Sequence, residues 1–192
     1  MKSSKSITAA VAAALLVATP AAWAPAADMT NILDDKLSQW TELGDANWSL
    51  NDGVLAADSG AGFLVSNETF DNFELTLEFF PGTATNSGVF MRCQNPAEIT
   101  DKTCYEANIF DTRPDQTFRT GGIVNFAPPA KVIDSEGQWN TYEITADGPH
   151  LTVKLNGETT VDVEDEALAS GPIALQYGAG SIKFRNVQIR KL

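Results

Sequence analysis

Residues 86 to 111 carry the groups best suited to chemistry. Asn86-Ser87-Gly88-Val89-Phe90-Met91-Arg92 and Tyr105-Glu106-Ala107-Asn108-Ile109-Phe110-Asp111 flank a loop bounded by Cys93 and Cys104, the two cysteines of the chain. Both segments alternate in character, and a β-strand turns successive side chains to opposite faces. Val89, Met91, Tyr105, Ala107 and Ile109 are then expected to face a core. Arg92, Glu106 and Asn108 are expected to gather on the other, open face. A guanidinium, a carboxylate and an amide brought together there could bind a polar ligand and move its protons. The competing role for Arg92 and Glu106 is a cross-strand ion pair, which contributes little when exposed.

These groups need a sheet to hold them, and the rest of the chain supplies one. From about residue 31 onward, short alternating runs are separated by turn signals, and no segment keeps a helical period. Phe73, Leu75, Leu77 and Phe79 alternate with Glu74, Thr76 and Glu78, which predicts a half-buried strand. Trp48-Ser49-Leu50 and Val54-Leu55-Ala56 flank Asn51-Asp52-Gly53, a turn that tolerates positive φ. Trp139 to Thr145 and Leu151 to Leu155 continue the pattern, and Asn156-Gly157 is a strong hairpin signal. Ile173, Leu175 and Tyr177 mark a late strand, and Ile182 to Ile189 another. Phe126-Ala127-Pro128-Pro129-Ala130 belongs at a rim, because proline gives a sheet no ladder donor. The expected fold is all-β, two antiparallel sheets packed face to face as a sandwich or jelly roll.

The first residues set the compartment. Lys2 and Lys5 precede an apolar run from Ile7 to Val17, and small residues close it at Ala22 to Ala27. Residues 1–26 read as a secretory signal peptide cleaved after Ala26. The run is too short to span a bilayer, and no later segment approaches about 18 uninterrupted apolar residues, so membrane insertion is not expected. Residues 27–192 suit a single domain, exported to the periplasm or secreted. The formal net charge is −12 at pH 7, and loss of Lys2 and Lys5 would deepen it. Such a surface repels phosphate backbones, so nucleic acid is disfavoured as a partner. In an oxidising compartment Cys93 and Cys104 are expected to form a disulfide, seated in the loop beyond the paired residues.

Taken in order, these words resemble a known family. They are Leu37-Ser38-Gln39-Trp40, Trp48 with Asp52-Gly53, Phe73-Glu74-Leu75 to Glu78-Phe79, Asn86 to Arg92, and Tyr105 to Asp111. Thr120-Gly121-Gly122-Ile123, Trp139-Asn140-Thr141-Tyr142, Leu155-Asn156-Gly157 and Gly171 to Gln176 with Phe184-Arg185-Asn186-Val187 complete the set. The chain resembles the 3-keto-disaccharide hydrolase family over nearly all of its length after the signal. That resemblance implies a concanavalin A-like jelly roll of lectin and glucanase type, a carbohydrate ligand on the concave sheet, and carbohydrate chemistry. Asn108, Val124 and Tyr177 depart from the family pattern, where glutamine, an aromatic residue and an imidazole are usual.

Ordinary glycoside hydrolysis uses two carboxylates flanking the bond. Glu106 is one candidate and Glu78 its conceivable partner, but the spaced acidic triplet of many jelly-roll glucanases is absent. A 3-keto sugar offers another route. Its ketone acidifies the proton on C2, and the glycosidic oxygen on C1 is then a β leaving group. The catalytic candidates are Glu106, as the base, and Arg92, whose charge would stabilise the enolate oxygen with help from Asn86 or Asn108. Asn86, Phe90, Asn108, Asp111, Lys131, Gln176 and Tyr177 are candidate substrate-binding residues. Phe90 and Phe110 would serve as platforms for a sugar ring.

Structural roles compete with several of these. Asp111 could cap a turn, and Lys131 could be a solvated lysine. His150, the one histidine, reads as a surface residue, which removes support for zinc sites and Ser-His-Asp catalysis. Asp162 to Glu166 reads as a solvated acidic turn, with calcium the weaker alternative. No cofactor or metal is implied, and the oligomeric state is left open. The alternative to an enzyme is a carbohydrate-binding module of the same fold without catalysis. An envelope interaction domain is a third class, and it gives no reason for polar groups to cluster on an open sheet.

Overall fold

The strand Phe73–Pro81 shows how pattern becomes structure: Phe73, Leu75, Leu77 and Phe79 are buried, and the residues between them are half-exposed. The computed structural model describes residues 29–192. The signal peptide read over residues 1–26 lies outside the described residues.

In chain order the first strands are β1 (Thr30–Asn31), β2 (Trp40–Gly44), β3 (Ser49–Asn51), β4 (Val54–Ala57) and β5 (Gly62–Phe70). The middle of the chain forms β6 (Phe73–Pro81), β7 (Ser87–Met91), β8 (Tyr105–Ile109) and β9 (Asn140–Asp147). The last four are β10 (His150–Leu155), β11 (Glu158–Glu164), β12 (Gly171–Tyr177) and β13 (Ile182–Lys191). One sheet has the order β11-β10-β9-β6-β13-β4-β3, with β1 also pairing β13, and the other has the order β2-β5-β12-β7-β8. Every pairing is antiparallel. This is the jelly-roll sandwich that the sequence leads one to expect.

The two sheets bury one apolar layer between them, from Leu55, Leu77, Phe79, Tyr142 and Phe184 on one side to Leu64, Met91, Tyr105, Ile109 and Leu175 on the other. Asn156 and Gly157 turn β10 into β11 with φ of 53° and 81°, and Asp52 and Gly53 turn β3 into β4 with φ of 50° and 75°. Mirror-image turns of this kind match the twist of a hairpin and need residues that tolerate positive φ. Strand β5 has no simple alternation. Leu64 packs into the inter-sheet core, but Val65 beside it packs into a second apolar cluster with Phe90 and the disulfide.

The strands β7 and β8 are buried along their whole length, on both faces. Their inner face meets the core. Their outer face, expected to be open, is partly roofed by the disulfide loop and by residues 110 to 127. No helix among the described residues is long and apolar enough to cross a membrane.

Candidate active site

Three strands form the floor of the site. Antiparallel register sets Ala174 opposite Phe90, and Phe90 opposite Glu106. Continuing it brings Gln176 to Gly88, which faces Asn108. The middle of this second row has no side chain, so the sheet dips there. A hollow of about 220 Å³ opens over the dip, floored by Asn86, Glu106, Asn108 and Gln176. Asp101, Phe110, Arg113 and Val124 wall it from the adjoining loops.

The roof is held by the outer edge of β8. Val124 N–H donates to Glu106 O at 3.0 Å, Asn108 N–H to Gly122 O at 3.0 Å, and Gly121 N–H to Asn108 O at 3.2 Å. Tyr142 reaches through the core from β9 in the opposite sheet. Its hydroxyl donates to Asn108 O and accepts from Gly121 N–H at 2.8 Å. Asn108 is 2 % exposed, and its side-chain amide donates to Phe118 O. Asn86 is fixed by its backbone, donating to Ala179 O at 3.1 Å and accepting from Gly178 N–H at 2.9 Å, so its side chain is free to line the hollow.

Glu106 is the electrostatic centre. It is 7 % exposed, and burial pushes its carboxyl up to about 8. The charge of Asp101 adds to the rise, and the Arg113 guanidinium opposes it. Such a group can change protonation state near neutral pH, as acid–base catalysis requires. Gln176 Oε1 is sealed from solvent with no hydrogen-bond partner. Arg113 makes one long side-chain bond, from Nη1 to Phe118 O at 3.4 Å, and leans on the Phe118 ring at 5.9 Å. Arg113 and the Asn86 side chain therefore keep hydrogen-bonding capacity for a polar ligand.

Six of the residues considered above, Arg92, Phe90, Asp111, Lys131, Tyr177 and Glu78, do not line the hollow. Arg92 does not share the face of Glu106. Strand β7 ends at Met91, and Arg92 has φ of 52°, which takes it off the alternation. Its side chain is 1 % exposed, and Nε and Nη2 donate to Asp71 O at 2.9 and 2.6 Å. Nη1 donates to Gly148 O at 2.8 Å and Leu168 O at 3.2 Å, and Nη2 to Asn72 Oδ1 at 3.1 Å. All its donors are thereby occupied in joining three loops at one end of the sandwich.

Phe90 does lie on the face of Glu106, but it is 2 % exposed and sits beneath Ile99 and the disulfide, with Phe63 edge-on at 5.2 Å, so no sugar can reach its ring. Asp111 accepts from Ser135 N–H at 2.6 Å, Ser135 Oγ at 3.0 Å and Glu136 N–H at 3.0 Å, and so it clamps a loop. Lys131 is exposed and pairs with Glu158. Tyr177 faces the core, 4 % exposed, with its hydroxyl donating to Gly180 O at 3.0 Å. Glu78 lies in the other sheet, bound to Arg185 and Asn186, and cannot partner Glu106.

The structure brings Glu106, Asn86, Asn108, Gln176 and Phe110 together, and adds Arg113 and Asp101, which sequence reasoning missed. Both sit in loops, where no periodicity announces orientation. The faint signal for Arg113 was a cation two residues beyond Asp111. Cys93 and Cys104 are disulfide-bonded just past the last strand pair, Met91 with Tyr105.

Residues 28–190 match the family model described as the 3-keto-alpha-glucoside-1,2-lyase-like domain. No curated protein matches the chain. Among solved structures, a candidate glycosyl hydrolase from Parabacteroides distasonis is 25% identical, covering 86% of this chain and 100% of its own, with a TM-score of 0.73. A second candidate glycosyl hydrolase from that organism is 19% identical over 86% of this chain and 94% of its own, with a TM-score of 0.76. A carbohydrate-binding module from Bacillus subtilis is 18% identical over 80% of this chain and 96% of its own, with a TM-score of 0.64. The last two likenesses speak to the fold alone.

Proposed function

The chain belongs to the 3-keto-alpha-glucoside-1,2-lyase-like family, and from that membership we propose that it cleaves 3-keto-glycosides in the hollow over Gly88, by proton abstraction, elimination and hydration. Glu106 takes the proton from C2. Arg113 replaces Arg92 as the cation that meets the enolate oxygen, with Asn86 donating a directed hydrogen bond. The bond from C1 to the glycosidic oxygen then breaks, and water adds at C1 to complete a net hydrolysis.

One observation carries this reading. A carboxyl group with no direct ion pair, its charge opposed by burial and supported only at a distance by Arg113, is buried at the floor of a polar hollow, and its protonation is balanced near neutrality. Burying an unpaired carboxyl disfavours folding whenever it ionises, so a binding module would do better with a neutral amide in that place. The disulfide and the N-terminal run of residues 7 to 17 support export as its setting.

The test is incubation of the protein with a disaccharide and with its 3-keto derivative. Product from the ketone alone supports the reading, and loss of that product in Glu106→Gln assigns the base. Binding of both sugars without product would make the chain a carbohydrate-binding module.

A further inference from the structure

Asn108 lines the hollow but is itself tied down on every side. It is 2 % exposed, and the register sets it on the face of Glu106, two residues further along β8. Its N–H donates to Gly122 O at 3.0 Å, and its carbonyl accepts from Gly121 N–H at 3.2 Å and from the Tyr142 hydroxyl. Its side-chain amide donates to Phe118 O. A residue fixed through its backbone, with its side-chain donor spent on a wall loop, is placed to hold that loop.

The loop runs from Phe110 to Phe118 and carries Arg113. Phe110 N–H donates to Thr120 Oγ1 at 2.8 Å, and the loop closes with the short 3₁₀ turn Gln116–Phe118, capped by Asp115. Among the described residues, both side-chain interactions of Arg113 go to Phe118. Nη1 donates to its carbonyl at 3.4 Å, and the guanidinium carbon lies 5.9 Å from the centre of its ring. A carbonyl oxygen has two lone pairs, so Phe118 O can accept from Asn108 and Arg113 together. The bond from Arg113 is too long to fix that carbonyl alone.

We propose that Asn108 is a positioning residue, which through the Phe118 carbonyl sets where the Arg113 guanidinium stands in the wall of the hollow. The task of Arg113 rests on the 3-keto-glycoside reading, but its placement does not. The charged groups facing Glu106 are Asp101, from the disulfide loop, and Arg113, while Tyr142, from β9, presents a hydroxyl that burial keeps neutral. Asn108 carries no charge of its own. It can therefore move the ionisation of Glu106 by moving Arg113, whose cation holds that carboxyl down.

The experiment is a double-mutant cycle with two readouts, turnover of a 3-keto-disaccharide and titration of the Glu106 carboxyl followed by NMR. Asn108→Leu removes the donor at similar volume. It should lower kcat by about 10- to 100-fold, the scale for a displaced catalytic group, with KM little changed. Added to Arg113→Gln, it should cost no more than about a further twofold, because both changes remove one contribution. The Glu106 titration should move to higher pH in Asn108→Leu, no farther than in Arg113→Gln, and should not move again in the double variant. If Asn108→Leu does not fold, Asn108→Ser, too short to reach Phe118, carries the same expectations. An unmoved titration, a raised KM, or a full further loss on top of Arg113→Gln overturns the assignment of Asn108. A parent protein inert toward 3-keto-glycosides overturns the reading beneath it instead, and the titration still decides whether Asn108 places the cation.

Discussion

Glu106 rests against Gly88: a β-carbon at position 88 would lie 2.8 Å from Glu106 Oε1 and 3.0 Å from its Cγ. The backbone at Gly88 is ordinary strand, so the glycine is there for space and not for conformation. The space it leaves is what lets the carboxyl lie flat on the sheet.

Gly88→Ala should therefore leave the fold intact and move the base. Displacement of a catalytic group by about 1 Å can cost about 100-fold in rate, and a loss of that order in kcat/KM is expected. Thermal melting should stay within a few degrees of the parent. Full activity in the variant would show that Glu106 does not work from this position.

The pH dependence follows from the raised carboxyl. As a base, Glu106 acts when ionised, so turnover of a 3-keto-glycoside should rise with pH and level off above about 8. Stability should run the other way. The native state keeps the Glu106 proton up to about 8, while the unfolded chain loses it near the ordinary carboxyl value, so this group's contribution is complete at low pH and disappears as pH rises toward 8. Glu106→Gln should abolish turnover and flatten this part of the stability profile, as denaturant titrations between pH 5 and about 9 would reveal.

Arg113→Gln should lower kcat by about 100-fold or more, the range for removal of a group that stabilises an oxyanion. The cation also helps Glu106 to ionise. Its loss should shift the rising limb of the pH–rate profile to higher pH, which a purely structural role would not do.

Arg92→Ala should behave oppositely, as a stability variant. It removes a buried guanidinium bonded to Asp71, Asn72, Gly148 and Leu168 and leaves their acceptors unmatched. A loss of about 3 kcal/mol or more in unfolding free energy is expected. The fraction that remains folded should keep the parent's pH–rate profile. A selective fall in kcat without loss of stability would restore Arg92 to the chemistry.

Replacing both Cys93 and Cys104 by alanine should destabilise the domain by about 3 kcal/mol, the value for closing a loop of this size. It should also free the segment that roofs Phe90 and carries Asp101. Water admitted there would bring the Glu106 carboxyl back down, and the pH–rate limb should move to lower pH.

The sandwich was legible wherever one face is buried and the other wet, as in β6 and the β10–β11 hairpin. Strand β5 was not, because Leu64 and Val65 bury against different clusters and leave no simple alternation. In the site, Glu106, Asn108 and Gln176 could be placed because they lie inside regular strands. Arg92 could not, since a single positive φ one residue past β7 redirects it. Tyr177 was misassigned through its family position, though alternation from Gln176 already turned it inward. Arg113 and Asp101 are set by loop geometry and a disulfide, which strand periodicity does not encode.

The hydrogen bonds from residues 121 to 124 to β8 occupy the margin where a further strand could have joined. Copies of this chain, or a stray extended peptide, can add to the five-stranded sheet through β2 but not beside Glu106. Any assembly built by sheet extension through β2 would thus leave the mouth of the hollow over Gly88 unobstructed, as open to a small polar ligand as in the single chain.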